Sequence, residues 1–464
     1  MKLVDILNNL PEVKTPKIKI EFNKRMTWMG VSLLLYFILS LIPLYGLSPA
    51  YKTQFEMLSI LLAAKFGSLI TLGIGPIVTG SIILQLLVGA EILKIDTNTK
   101  EGKQYYQGLQ KAFSIFFIIF ENALYVMSGA LPAAYPTAFN MFILIFQLIL
   151  GGFILMFLDE VISKYGMGSG ISLFIAAGVS QEIFVNALSP LADPTSPSLP
   201  TGQVFKSIAL IIQGIPQAAL WPIVAIVSTV IVFAMSVYAQ SIKVEIPLSF
   251  GRVKGFGIRW PLNFIYTSNI PVILTAALIA SMQFWGLMMF HSGFPLLGTY
   301  EKVQSGQGYR EVAKSGLVYY LNPPSLRDLV ISNFEADKLI SIFVYALFMI
   351  GGSIIFSVLW IQVGSQDPAT VAKQILSSGL MIPGFRKDPR IIEQILRRYI
   401  GPLTVMGGAL VGFLAVIADL LGALSRGTGI LLTVMIIYQM YEQIMRHKQE
   451  DMHPIFKNLL GGQK

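Results

Sequence analysis

An apolar segment that is long enough to cross a membrane, yet repeatedly broken, occupies residues 54–89: QFEMLSILLAAKFGSLITLGIGPIVTGSIILQLLVG. Its first part, 54–66, provides only about thirteen residues of helix, fewer than the roughly 20 that a bilayer requires. Three glycines and a proline then interrupt the helix, because glycine is conformationally permissive and proline lacks the amide donor: Gly67, Gly73, Gly75 and Pro76. Pro76 suits the first turn of a new helix, predicted over 77–88.

This break has a consequence for function. Irregular backbone at membrane depth is tolerated only where it is buried in protein or lines a water-filled cavity. The segment is therefore predicted to line a pathway through the membrane. The alternative is a kinked helix packed among other helices.

The composition places the chain in the membrane. Its 464 residues are 54% hydrophobic and only 13% charged, against roughly 25% charged in soluble domains. The long unbroken apolar runs exclude a β-barrel, whose strands alternate in polarity. The predicted fold class is an all-α polytopic membrane protein. The absence of cysteine excludes disulfides, a thiolate nucleophile and a Cys-ligated metal.

Ten transmembrane spans are predicted, in two halves of five. The interrupted segment is the second span, the fifth ends near 188, and the others lie at about 26–45, 112–131, 138–158, 218–240, 266–290, 338–360, 400–420 and 427–443. The resulting divisions are an N-terminal segment (1–25), an N-terminal half (26–188), a loop between the halves (189–217), a C-terminal half (218–443) and a tail (444–464). Because five is odd, the second half is inverted relative to the first, although no residue-by-residue repeat is evident.

The basic residues predict the orientation. The face that holds both termini carries 25 of the 34 lysines and arginines, and the opposite face carries 9. The positive-inside rule therefore predicts that both termini of this multi-pass protein are cytoplasmic. In the N-terminal segment, Leu3, Ile6, Leu7 and Leu10 follow the spacing of an interfacial amphipathic helix.

Two cytosolic loops, 243–259 and 361–398, are longer and more basic than topology requires. Lipid headgroups are one possible partner for these loops. A large anionic body such as ribosomal RNA is the other. Four residues on the loops are the candidates for such docking: Arg252, Lys254, Arg386 and Lys387.

No catalytic pattern is present. The three histidines (His291, His447 and His453) form no HExxH motif, and the sequence contains no nucleophile elbow or phosphate-binding loop. Glu121, beside Asn122, is the one carboxylate well inside a predicted span, and an acid within the membrane is a functional hypothesis by default. A single acid makes a poor proton relay. We therefore predict no enzymatic activity, no cofactor and no metal.

Several long motifs follow one another along the chain: TLGIGPIVT (71–79) with QLL (85–87), LDEVISKYGMGSGISLFIAAGVSQ (158–181), VEIPLSFGRVKG (244–255), SNIPVIL (268–274), GFRKDPR (384–390), RYIGPLTVMGGALVGFLA (398–415) and GTGILLTVMIIYQMYEQ (427–443). Together they resemble the SecY family, the protein-conducting channel subunit of the Sec translocon, and its archaeal and eukaryotic branch in particular. The resemblance covers residues 1–460.

The resemblance implies an hourglass pore that is closed by an aliphatic ring and a plug helix and that opens sideways to lipid. The implied ring residues are Ile74, Val78, Ile171, Ile175, Ile273 and Leu432. The implied plug is about 55–66, with Phe55, Leu58, Leu62 and Phe66. The implied lateral gate is Thr79, Gln85, Glu121 and Ser281, where Ser281 replaces the asparagine common in the family.

The resemblance also implies partners: a SecE/gamma subunit, a beta subunit, the ribosome, signal sequences and nascent polypeptides, and membrane lipids. The predicted function is a passive pore for unfolded polypeptide that releases apolar segments into lipid. A secondary transporter of small solutes is the alternative, and it would need convergent polar groups at the membrane midplane. An assembly scaffold is a third reading, but it would not need the interrupted helix.

Overall fold

Helices form most of the chain in the computed structural model. The residues that the structure describes are 11–18, 20–48, 67–89, 92–93, 95, 99–127, 131–135, 137–193, 196–250, 257–267, 270–291, 293–305, 308–322, 324–331, 335–363, 366–377, 380–381, 388–425 and 427–451. The predicted amphipathic residues Leu3, Ile6, Leu7 and Leu10 lie outside these ranges.

Every predicted span corresponds to a helix. In the N-terminal half these are α1 (Phe22–Leu41), α2 (Gly75–Gly89), α3 (Lys100–Met127), α4 (Ala138–Tyr165) and α5 (Gly170–Leu188). After the short strands β1 (Ala192–Asp193) and β2 (Ser196–Pro200), α6 (Gln203–Ile212) leads into the second half.

The second half contains five further long helices, with strands and short helices between them. In chain order these elements are α7 (Pro216–Ser241), β3 (Lys243–Phe250), β4 (Gly257–Asn263), α8 (Ile270–His291), β5 (Thr299–Ser305), β6 (Gly308–Ser315), α9 (Leu317–Tyr320), α10 (Leu326–Ile331), α11 (Ala336–Val363), α12 (Pro368–Ser377), β7 (Leu380–Met381), α13 (Pro389–Leu420) and α14 (Gly427–Asp451).

Seven of the described helices are long and apolar enough to cross a membrane: α3, α4, α5, α7, α8, α11 and α13. The fold is therefore an all-α polytopic membrane protein, as predicted. Helix α2 has only 15 residues, and the ends of α1 and α14 carry charged residues.

The predicted loops contain more regular structure than hydropathy indicates. Helix α3 begins at Lys100, well before the start predicted for the third span at about 112. Hydropathy detects the lipid-embedded part of a helix and misses polar turns that continue it into water. The loop predicted at 361–398 likewise contains α12 and the first turns of α13.

The two predicted basic loops are joined by strand pairing. Strands β3 and β4 form an antiparallel hairpin, and β7 adds to the other edge of β3, with Phe250 opposite Leu380. An apolar core supports this sheet, with Ile246 and Leu262 from the hairpin packed with Ile375 and Leu396 from α12 and α13. The β5–β6 hairpin is a separate two-stranded sheet.

Two large apolar cores lie mainly in one half each, and Ala176 of α5 also packs into the core of the second half. In the first half, Tyr36, Ile118, Leu155 and Phe174 bring together helices α1, α3, α4 and α5. In the second half the core brings together helices α7, α8, α11, α13 and α14, with residues such as Val232, Val272, Tyr345, Val411 and Leu432. A smaller cluster joins the halves, and it positions the candidate site.

Candidate functional site

The interruption in the second span forms as predicted, and other parts of the protein satisfy its backbone. Gly67 and Gly73 have φ angles of 75° and 56°, which L side chains adopt only with strain. The amide of Leu69 donates to the carbonyl of Ile42 at 2.9 Å, and the carbonyl of Gly67 accepts from Leu44 at 2.8 Å. Residues 67–70 of the break are buried, 71–74 are half-buried and Gly75 is exposed. Irregular backbone at membrane depth is tolerated where it is buried in protein or lines a water-filled cavity.

Helix α2 begins directly after the break and presents the first two predicted ring residues. Ile74 immediately precedes α2, and its carbonyl accepts from the amide of Val78 at 3.0 Å. The two side chains are thus one helical turn apart on the same face.

The six predicted ring residues fall into two adjoining apolar clusters. In the cluster between the halves, Val78 and Ile82 of α2 pack with Leu274 of α8 and Phe356 of α11, and Ile74 and Ile171 pack against them. The remaining three ring residues belong to the core of the second half: Ile175, Ile273 and Leu432. Helix α5 links the clusters because Ile171 and Ile175 are one turn apart. Closure of all six side chains into one ring stays a prediction.

The predicted gate residues Thr79, Glu121 and Ser281 come together. The hydroxyl oxygens of Thr79 on α2 and Ser281 on α8 lie 3.3 Å apart. The side chain of Thr79 also hydrogen-bonds that of Glu121 on α3, which is only 5% exposed. Thr79 in addition donates toward the carbonyl of Gly75 at 3.1 Å. A hydroxyl has one donor and two acceptor positions, so Thr79 accepts from the hydroxyl of Ser281 while its single proton serves either the carbonyl of Gly75 or the carboxylate of Glu121.

Gln85, the fourth predicted gate residue, is buried on α2 but sits apart from this group. Six residues of helix place it about 9 Å along the axis and about 120° around it from Thr79. An aromatic contact that sequence reasoning missed lies on the same seam. The rings of Tyr125 on α3 and Phe284 on α8 stack with centroids 5.2 Å apart. No local pattern marks this pair, because the two residues belong to different halves of the chain.

Two other sets of predicted residues lie outside the described ranges. These are the plug residues Phe55, Leu58, Leu62 and Phe66, and the docking residues Arg252, Lys254, Arg386 and Lys387. For the docking set, the structure describes the flanking strands, β3, β4 and β7. Within the described part of the chain, no group of three or more His, Cys, Asp or Glu residues could hold a metal ion.

The fold is that of a polytopic helical membrane protein, with a broken second span and an apolar cluster between two helical halves. The SecY family model matches residues 68–441, and the model for the plug domain of Sec61p matches residues 34–67. The chain belongs to the SecY family. The family is one of translocase channel subunits, so the prediction that the chain is not an enzyme is confirmed.

Relatives and solved structures match over nearly the full chain. The protein translocase subunit SecY of Methanocaldococcus jannaschii is 45% identical over 99% of both chains, and that of Methanothermobacter thermautotrophicus is 44% identical over 99% of this chain and 98% of its own. A solved structure described as that of a protein conducting channel has a TM-score of 0.82 at 44% identity, covering 98% of this chain and 99% of its own. Sec61 in the canine ribosome-channel complex has a TM-score of 0.78 at 44% identity with the same coverage.

Proposed function

We propose that this protein is the central pore-forming subunit of a Sec protein translocase, a passive channel that conducts unfolded polypeptide and releases transmembrane segments sideways into lipid. The observation that carries the proposal is the match over nearly the whole chain to a solved protein-conducting channel at 44% identity. The broken second span supports it, because the break lies directly before the aliphatic residues of the constriction.

The aliphatic side chains suit a seal. A narrow apolar constriction offers hydrated ions no polar partners, so it blocks their passage. Aliphatic side chains can still part around a polypeptide. A transporter of small solutes would instead need convergent polar groups, whereas the cluster around Ile74 and Val78 is aliphatic and aromatic.

The lateral gate is the seam between α2 and α3 on one side and α8 on the other. Its proposed polar members are Thr79, Glu121 and Ser281, and its apolar members include Val78 and Leu274. Hydrogen bonds between membrane helices contribute only about 0.6–2 kcal/mol each. Such a seam stays closed when idle, and an apolar signal sequence that binds there can open it. The plug is assigned to about 55–66, which the plug-domain match over residues 34–67 supports.

The ribosome is the proposed partner of the basic loops. The pairing of β3 with β7 supports one shared docking surface, since it joins the two predicted basic loops, 243–259 and 361–398, in one sheet. The relative in the canine ribosome-channel complex supports the partner itself. Cytoplasmic termini, a cell-membrane location, and SecE/gamma and beta subunits complete the proposal, and they rest on the charge distribution and the family.

A cross-linking experiment tests the pore. A photoreactive amino acid at Ile74 or Val78 should cross-link to a secretory nascent chain held on a ribosome. The matched control is the same probe at Phe142, which is 63% exposed on α4 and should react with lipid. Cross-links at Phe142 that equal those at Val78 would contradict a central pore.

A further inference from the structure

Two aspartates, which sequence reasoning did not single out, each hold the start of a helix that carries predicted ring residues. The first is Asp159, near the end of α4. Its Oδ1 accepts from the backbone amide of Ile171 at 2.9 Å, and the amide of Gly170 also hydrogen-bonds its carboxylate. The absence of a side chain at Gly170 permits this contact, because a Cβ there would lie only 2.6 Å from the Cα of Asp159.

The second aspartate is Asp419, near the end of α13. Its Oδ1 accepts from the amide of Thr428 at 2.8 Å and from the hydroxyl of Thr428 at 3.1 Å, in the first turn of α14. Its Oδ2 accepts from the hydroxyl of Tyr345 on α11 at 2.5 Å. Gly427 again permits the approach, because a Cβ there would lie 1.9 Å from the backbone of Ala418.

The two contacts are inverted copies of each other. Helices α4 and α5 are the fourth and fifth spans of their half, and α13 and α14 occupy the same places in theirs. Helices α5 and α14 pack antiparallel, since Asn186 near the end of α5 donates to the carbonyl of Leu424 just before α14, at 2.8 Å. The two aspartates therefore hold opposite ends of one helix pair.

On α5 and α14, the predicted ring residues lie within about one helical turn of the residue that each aspartate binds. Ile171 is itself a bonding partner of Asp159, and Ile175 is four residues further on. Leu432 is four residues after Thr428. Ile175 and Leu432 then meet in the same apolar core. A carboxylate that accepts from the free amides at a helix start also interacts favourably with the helix dipole. It therefore fixes both the position of that helix along its axis and its rotation about the axis.

We propose that Asp159 and Asp419 are a pair of positioning residues for the pore: they hold α5 and α14 so that Ile171, Ile175 and Leu432 close the resting constriction. The inference rests on the proposed channel function. It concerns residues that lie at the two ends of the helix pair and need not touch the translocating chain.

The test measures resting ion conductance of the channel, reconstituted with its partner subunits, in planar bilayers. Asp159→Ala and Asp419→Ala should each raise the leak. Loss of a helix-capping side chain changes equilibria by about two- to thirty-fold, and we expect the leak to rise within that range. Asp388→Ala is the matched control, because Asp388 caps α13 by accepting from Arg390 at 2.9 Å but precedes no ring residue. A leak that stays at the wild-type level in folded Asp159→Ala and Asp419→Ala channels would overturn the proposal.

A double-mutant measurement separates positioning from general stability. If Asp419 acts through Leu432, Asp419→Ala should add little leak to a channel that already carries Leu432→Ala. Independent, additive effects would contradict positioning. If an alanine variant fails to assemble, Asp159→Asn and Tyr345→Phe are measured in its place, because each keeps part of the hydrogen bonding. Each of these variants should raise the resting leak by less than the alanine variants do. A wild-type leak in both would also overturn the proposal.

The same recordings separate this inference from the proposed function. Substituting serine at the ring residue Val78 tests the pore directly. If Val78→Ser channels leak and the aspartate variants do not, only the positioning role fails. If Val78→Ser channels also stay sealed, the proposed aliphatic seal itself fails.

Discussion

The hydroxyls of Thr79 and Ser281 meet across the two halves of the protein, with their oxygens 3.3 Å apart although 202 residues separate them in the chain. Thr79 lies one residue after Val78 of the apolar cluster between the halves. The polar contact that holds the seam and the side chains proposed to seal the pore are therefore neighbours on α2. An event that separates α2 from α8 should disturb both at once.

Weakening this contact should ease opening of the gate. Combining Thr79→Val with Ser281→Ala removes the hydrogen bond across the seam, which contributes about 0.6 kcal/mol and corresponds to a factor of about three in the ratio of open to closed channels. Thr79→Val also removes the bond to Glu121, which joins α2 and α3 on one side of the seam. Less hydrophobic signal sequences should then be exported. Export of a graded series of signals measures the threshold.

The control for the gate is Thr275→Val on α8. Thr275 is equally buried, but its hydroxyl donates to Pro271 in its own helix at 2.8 Å. The control should leave the threshold unchanged. An unchanged threshold in the Thr79/Ser281 variant would mean that the contact has no gating role.

Polar substitutions in the ring should make resting channels leak. Serine at Ile74, Val78, Ile171 and Ile175 gives ions polar partners in the constriction and removes apolar side chains. Single-channel currents in planar bilayers should exceed the wild-type current. Ile115→Ser, at a partly buried isoleucine in the core of the first half, is the control and should not leak. Currents equal to the wild type in the ring variants would rule out the seal.

Charge reversal on the paired loops should weaken ribosome binding. Arg252→Glu and Arg386→Glu remove cations that contact phosphate through several donors. We expect the affinity to fall and its dependence on salt to flatten, because fewer counterions are released. Ribosome cosedimentation across a salt titration measures both. Lys314→Glu, on the exposed β5–β6 hairpin, is the control. The docking assignment is rejected if the loop variants and this control bind alike.

An ion-pair network fastens the N-terminal segment to the bundle. Glu160 on α4 pairs with Lys111 on α3 and accepts from the amide of Val13 at 2.8 Å, and Lys164 donates to the carbonyl of Val13 at 2.5 Å. The side chains of Lys111 and Glu160 are 12% and 17% exposed. Breaking such a pair leaves a poorly solvated charge without a partner.

Glu160→Ala should therefore lower the free energy of unfolding by about 3 kcal/mol and expose the segment around Val13 to protease. Glu301→Ala breaks an exposed ion pair, in which Oε2 of Glu301 lies 2.9 Å from Nζ of Lys314. This substitution should lower the free energy of unfolding by only about 0 to 1 kcal/mol. Thermal unfolding in lipid nanodiscs compares the two variants. Equal losses of stability would show that the Lys111–Glu160 pair contributes no more than a surface pair.

The amino-acid sequence alone determined the membrane class, the apolar middle of each long helix and the break before α2. These features depend on local chemistry. Apolar side chains partition into lipid wherever they occur in long runs, and Gly73 and Pro76 interrupt a helix regardless of what surrounds it. The resemblance to the family likewise grouped Thr79, Glu121 and Ser281 without any knowledge of the fold.

Only the tertiary structure decided which of these side chains meet. Ser281 lies opposite Thr79, β7 joins the sheet of β3, and Asp159 and Asp419 hold the starts of α5 and α14. Hydropathy could not reveal these contacts, because they depend on the register and rotation of helices that are distant in the chain. That register is determined by close packing, in which glycines such as Gly170 and Gly427 permit approaches that a Cβ would block.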